Sequence, residues 1–292
     1  MVGFRSGDAE VTQYIRRLRG GSRAALVRAS DGLLYILKSS ISAQGPNLPF
    51  NECVGTEIYR ACGLLAPPWR KLLVTDSFIE HNRGFWADGG DGANRPIPGL
   101  WFGSFVVGQG LTKFQEILDG RSYKRIRDRN SFWLAWLIDI CAEHDDHRQC
   151  VFKQTAAGEF DAFFIDHGSL FGGGFGDQEP KPVKSRYLDA RIYPEVRGGD
   201  CPFDLKTLRD FNVDKLWAYV QVLPEEWRTE SGSRSLARCL NRFADPALLN
   251  ELFTSILDMI MLRNRDIEDE GQRRWRLQFA VLHPGVHTGC QD

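Results

Sequence analysis

Short apolar runs bounded by turn residues fill the chain to about residue 110, and longer runs with helical spacing follow. Ala24–Val27 and Leu33–Lys38 flank Ser30-Asp31-Gly32, a pattern that predicts a β-hairpin. Residues 7–19 read as a polar lead-in, and 40–49 as a loop. Asn51 is placed to cap a helix that ends at Gly63, with Val54, Ile58, Ala61 and Cys62 along its apolar side and Pro67-Pro68 stopping any continuation. Leu72–Val74 and Phe78-Ile79 read as short strands, Arg83–Pro98 as an exposed loop, Leu100–Val107 as a strand and Gly108-Gln109-Gly110 as a hinge. Beyond Leu111, Phe114–Asp119 starts a helix, and Asn130-Ser131 caps a mostly apolar helix running to about Cys141. Further helices are predicted near 203–211, 213–221, 233–242, 246–262 and 269–280. The fold class is therefore α+β: a small antiparallel-sheet first lobe over 1–108, and a larger, mainly helical second lobe over 109–292.

Composition narrows the function classes. The 292 residues are 42% hydrophobic and 26% charged with a formal net charge of −1, so no global basic field argues for nucleic acid. Basic clusters such as Arg121, Lys124, Arg125, Arg127 and Arg129 read as solvated faces. The seven cysteines are scattered without a Cys-x-x-Cys pair, which predicts reduced thiols and a cytoplasmic setting. Met1–Glu10 lacks the apolar core of a secretory signal, and Phe132–Ile138, the longest apolar run, is too short to span a membrane.

The candidate chemistry lies in two acidic segments. The first, Ile138-Asp139 through Val151-Phe152, carries Glu143-His144-Asp145-Asp146-His147-Arg148 directly after the apolar helix. The second, Phe163-Phe164-Ile165-Asp166-His167-Gly168, is an apolar strand ending on a carboxylate. Charges at the edge of buried elements are costly unless they line a wet site. A carboxylate at such a strand end suits a hard cation such as magnesium, and Asp145 or Asp146 could orient a hydroxyl. Lys38 shares a strand face with Leu34 and Ile36 and needs an anionic partner, for which Glu52, Glu57 and nucleotide phosphates are the candidates. Gly20-Gly21-Ser22 precedes the hairpin and could bring backbone amides close to phosphate. Gly172-Gly173-Gly174-Phe175-Gly176 reads as a flexible loop. No Walker-type loop and no hydrolase nucleophile elbow occurs.

A zinc-stabilised structural or binding module is the competing reading. Cys141, His144, His147 and Cys150 are spaced by three, but one tetrahedral site would require the helix to break among them. His147 is expected to support the base, and His167 to back Asp166.

Taken in order, these residues resemble the HipA-like kinase family within the protein-kinase and phosphatidylinositol-kinase fold. The likeness covers most of residues 18–176: Gly20-Gly21-Ser22 before a hairpin ending at Lys38, Asn51-Glu52 opening a helix closed by Cys62-Gly63-Leu64, the aspartate-rich loop 139–152, and Ile165-Asp166-His167-Gly168. The resemblance implies ATP and Mg2+ as cofactors and transfer of the γ-phosphoryl group to a hydroxyl, most plainly a protein Ser or Thr. It implies that Gly20, Gly21 and Ser22 cover the phosphates, that Lys38 contacts them and pairs with Glu52, and that Val106, Val107 and Gly108 hold adenine. It makes Asp145 or Asp146 the base, Asp166 the metal ligand and Gln149 an auxiliary ligand; the seven-residue spacing from Asp139 favours Asp146. The chain departs from the family at the second metal ligand. Five residues beyond Asp145 stands Cys150, and five beyond Asp146 stands Val151, where the family places Asn. That departure implies an alternative, a catalytically impaired nucleotide-binding regulator.

Overall fold

The computed structural model describes residues 8–18, 24–38, 45–85, 96–110, 114–119, 121–175, 187, 189–196 and 201–259. Gly20, Gly21 and Ser22, the 269–280 helix and residues 86–95 of the predicted loop lie outside the described residues.

The front of the chain forms β1 (Ala9–Arg17), β2 (Ala25–Ala29), β3 (Leu34–Lys38), β4 (Trp69–Val74) and β5 (Gly99–Phe105). They close into a barrel in the order β1-β2-β3-β5-β4. The expected antiparallel sheet is corrected in one respect: β1 runs parallel to β4, Ala9 beside Leu72, and this pair closes the ring. The polar lead-in is itself β1. Its exposed positions are Glu10, Thr12, Gln13, Arg16 and one apolar residue, Ile15, while Ala9 and Val11 are buried, so a half-exposed strand reads as polar by composition. The β2–β3 hairpin turns at Gly32, whose φ of 80° suits glycine, and Asp31 Oδ1 accepts from Leu33 N at 3.0 Å. Val11, Val27, Tyr35, Leu37, Leu72 and Val74 pack together in one apolar cluster. Phe78 and Ile79, expected as a strand, lie on the short helix α2 (Asp76–His81), where Thr75 Oγ1 caps Phe78 N at 3.1 Å.

Helix α1 (Leu48–Ala61) begins one turn earlier than expected, with Pro49 in its first turn, so Asn51 is inside the helix and is not its cap. Its end follows the glycine rule: Gly63 has φ 81°, Gly63 N donates to Arg60 O at 3.1 Å and Leu64 N to Tyr59 O at 3.0 Å. Residues 114–115 form the short strand β6 (Phe114–Gln115) where a helix was expected; it pairs with β7 (Gln149–Gln154), which pairs in turn with β8 (Phe160–Ile165). Cross-strand pairing there outweighs the local pattern. Helix α3 (Ser131–Cys141) is buried nearly all round and fills the second, larger core. That core is completed by α4 (Lys206–Arg209), α5 (Val213–Gln221), α6 (Glu230–Phe243) and a helix over 246–259. Among the described residues no helix is long and apolar enough to cross a membrane.

Candidate active site

Lys38 ends β3 and Asp166 follows β8, and the structure brings them together. Lys38 Nζ donates to Asp166 Oδ1 at 2.7 Å and forms a very short ion pair with Glu52 on α1. Lys38 and Glu52 are buried, whereas the Asp166 side chain keeps 31% exposure, so this cluster opens to solvent at its aspartate end. Glu57, the other candidate partner, accepts instead from Trp69 Nε1 at 3.3 Å. Glu52 also accepts from the backbone amides of His167 at 3.2 Å and Gly168 at 3.0 Å, so one carboxylate fixes both the lysine and the turn after Asp166.

The electrostatics follow from one cation facing two carboxylates. The ammonium of Lys38 holds Asp166 well below the usual carboxylate range. Burial opposes the Lys38 charge, but Asp166 and Glu52 outweigh it and raise the lysine. Burial pushes the Glu52 carboxyl up. The cluster carries a formal surplus of one negative charge.

Helix α1 is packed onto the segment after β8. Asn51 Nδ2 donates to the carbonyls of Gly168 at 2.9 Å, Leu170 at 2.7 Å and Gly173 at 3.2 Å. A Cβ at Gly55 would sit 2.4 Å from Leu170 Cδ1 and 2.7 Å from His167 Cβ, so this close approach requires glycine. One turn further on, the Tyr59 ring lies 4.5 Å from that of His167.

The aspartate-rich loop leaves α3 through Glu143, whose backbone is left-handed at φ 54°. Helix α6 braces it: Arg242 Nη2 meets Glu143 Oε1 at 2.6 Å, Arg238 Nη2 meets Oε2 at 3.2 Å, and Arg242 Nη1 donates to Cys141 O at 2.7 Å. Asp145 is half-buried; its amide donates to Ser169 O at 3.2 Å, and its Oδ2 would lie 3.0 Å from a Cβ placed on Gly173. Asp146 is exposed, and its Oδ1 accepts from the adjacent His147 N at 2.7 Å. Gln149 is exposed and pairs with Ile165 across β7–β8, beside Asp166. Cys150 is buried opposite Phe164, where burial raises its thiol far above the ordinary value. Val106 N donates to Leu34 O at 3.0 Å, so residues 106–108 leave β5 beside the start of β3, and Gly108 turns the chain at φ 79°.

A second buried cluster had no place in the sequence reading except for the spacing of Asp139. Arg148 Nε and Nη2 meet the Asp139 carboxylate at 2.8 and 2.5 Å, and Tyr59 Oη donates to Asp139 Oδ1 at 2.6 Å. Arg148 Nη1 reaches Ile165 O at 2.9 Å, with longer contacts to His167 Nδ1 at 3.3 Å and Asp166 O at 3.4 Å. The signal was available: a carboxylate inside an apolar helix requires a buried cation, and Arg148 is the nearest arginine following it. His167, expected behind the Asp166 carboxylate, contacts Arg148 and Tyr59 instead. Burial, followed by the Arg148 charge, keeps both His144 and His167 below the usual imidazole value.

The zinc arrangement does not form. Cys141 closes α3 while Cys150 lies on β7, and among the described residues no three His, Cys, Asp or Glu side chains gather to hold a metal ion. Magnesium makes a different demand. It binds through one or two carboxylates, phosphates and water, and the partly exposed Asp166 carboxylate supplies hard oxygen donors in a cluster with surplus negative charge, while Gln149 stands opposite Ile165 in the strand register.

Among solved structures, the chain is similar to a Helicobacter pylori proinflammatory kinase, CtkA, with a TM-score of 0.52 and 11% identity, over 85% of this chain and 96% of that one. It also aligns with a Golgi casein kinase that has Mn/ADP bound, at a TM-score of 0.37 and 13% identity, over 87% of this chain and 72% of that one. No protein-family model matches the chain, and no curated protein sequence does. The first likeness shows a kinase-like fold; the second is too slight to argue from.

Proposed function

We propose that this chain is a two-lobed, HipA-like kinase, residues 1–108 forming the first lobe and 109–292 the second, that transfers the γ-phosphoryl group of ATP to a hydroxyl of a protein Ser or Thr. The observation that carries the reading is the Lys38–Glu52–Asp166 cluster: residues distant in sequence meet at one partly open point with carboxylate to spare. When bound, magnesium would neutralise phosphate charge; Asp166 is its ligand and Gln149 an auxiliary one. Lys38, fixed by Glu52, binds phosphate oxygens. Val106, Val107 and Gly108 take adenine; Val106, the first residue beyond β5, stands four residues from Phe102, the partner of Lys38, or roughly 13 Å at strand rise. Gly20, Gly21 and Ser22 cover the phosphates. Asp145 is favoured over Asp146 as the group that accepts the hydroxyl proton, because it is half-buried against the loop that follows Asp166 whereas Asp146 faces solvent. Catalysis in this reading is positioning and charge stabilisation.

One observation favours a second reading, a nucleotide-binding regulator impaired in transfer: Cys150 stands at the expected Asn position, and its thiol is buried and protonated. Thermal unfolding with Mg-ATP, paired with transfer of labelled phosphate to a protein acceptor, separates the two. A stabilising shift with transfer supports the kinase, a shift without transfer supports the regulator, and no shift refutes both. Asp145→Asn losing transfer while Asp146→Asn retains it fixes the base.

A further inference from the structure

Arg148 is a buried cation near the site that the proposed chemistry does not use. Its side chain is 1% exposed and that of Asp139 0%, so neither can touch a nucleotide. The guanidinium is divided between two tasks. Nε and Nη2 are committed to Asp139, and Nη1 faces the successive carbonyls of Ile165 and Asp166. Two consecutive carbonyls can face one donor because the chain turns at Asp166, which has φ 61° and is not glycine. Tyr59 supports both members of the pair, its hydroxyl on Asp139 and its ring 5.0 Å from the guanidinium carbon.

We infer that Arg148, oriented by Asp139, is a positioning residue that holds Asp166 in its left-handed backbone conformation and thereby aims its carboxylate at Lys38 and the divalent cation. This rests on the reading of Asp166 as the metal ligand. The forked geometry is what the task needs. A planar guanidinium satisfies a carboxylate through two nitrogens and keeps a third for the backbone, whereas an ammonium is a single point that cannot span both.

The test measures binding of a non-hydrolysable ATP analogue to the full chain by calorimetry, with magnesium and with a chelator. In the wild type magnesium is expected to strengthen binding, and Asp166→Asn to abolish that gain. Arg148→Lys and Asp139→Asn are expected to cut the gain about 10- to 100-fold, the usual effect of losing a residue that orients a metal ligand, while leaving metal-free binding unchanged. A full magnesium gain in Arg148→Lys, alongside its loss in Asp166→Asn, overturns the inference and leaves the metal reading standing. A wild type without any gain, or an Asp166→Asn variant that keeps it, refutes the metal reading and the inference with it. If Arg148→Lys fails to fold cooperatively, Asp139→Asn, which keeps the side-chain shape, decides. Failure of both to fold overturns the inference, because the pair would then be scaffold alone.

Discussion

The Lys38–Glu52–Asp166 cluster and the Tyr59–Asp139–Arg148 cluster hold the same aspartate by different atoms, the first by its carboxylate and the second by its backbone carbonyl. In the first, one lysine serves two carboxylates and the aspartate remains 31% exposed. In the second, one arginine meets one carboxylate and both are sealed, at 1% and 0% exposure. A sealed neutral pair has nothing to offer a ligand, and its energy is realised only as backbone geometry. An open cluster with surplus charge leaves a charge that the cation of the proposed function would balance. Charge balance and the single partly exposed carboxylate distinguish the two.

That contrast can be broken at several points. The largest effect is expected from Asp166→Asn in the open cluster. If the chain acts as the proposed kinase, this substitution should lower phosphoryl transfer roughly 10^3-fold or more, the scale on which one charge-stabilising group acts in this chemistry, while urea unfolding stays cooperative. A variant with wild-type turnover removes Asp166 from the site. The next largest is Asp139→Ala, which strands the sealed Arg148 charge and should cost about 3–5 kcal/mol in urea unfolding. A cost below about 1 kcal/mol would show the pair to be solvated.

The buried imidazoles supply an intermediate effect. His144 and His167 have folded-state values below their unfolded ones, so the native state binds fewer protons on acidification. Their contribution is fully present above about pH 6.5 and is lost as the pH falls through the folded values, with a limiting slope of about 1.4 kcal/mol per pH unit for each histidine. Unfolding measured between pH 7.5 and 5 should show this slope, and His144→Leu should remove one histidine's share of it; a flat wild-type profile refutes burial of the pair. The smallest effect serves as the control. Arg127 and Asp161 form an ion pair with the arginine 53% exposed, and Arg127→Ala should shift stability by less than about 1 kcal/mol.

The legibility of these features in the sequence varied with the range of the forces that set them. The β2–β3 hairpin, the Gly63 helix stop and the apolar helix over 131–141 were readable because turn geometry and hydrophobic periodicity are local. The strand β1 is not legible because half its side chains face solvent, and the β6 pairing and α2 are not because strand and helix patterns are ambiguous over so few residues. Composition makes Asn51 a helix cap; three carbonyls from a distant loop give it another task.

By itself the sequence determined that a sheet-rich front would be followed by a helical body, and that Lys38 and Asp166 each required a partner of opposite charge. It could not determine which partner, because Coulomb attraction has no sequence range and a carboxylate is satisfied by any cation the fold brings within reach. Tertiary structure decided that Lys38 would be shared by Glu52 and Asp166, that Asp139 would take Arg148, and that only the first of these clusters would remain open to water. The physical reason is packing. The close approach at Gly55 and the hydrogen bonds of Asn51 set α1 against the turn after β8, and that contact exists only once the chain has folded.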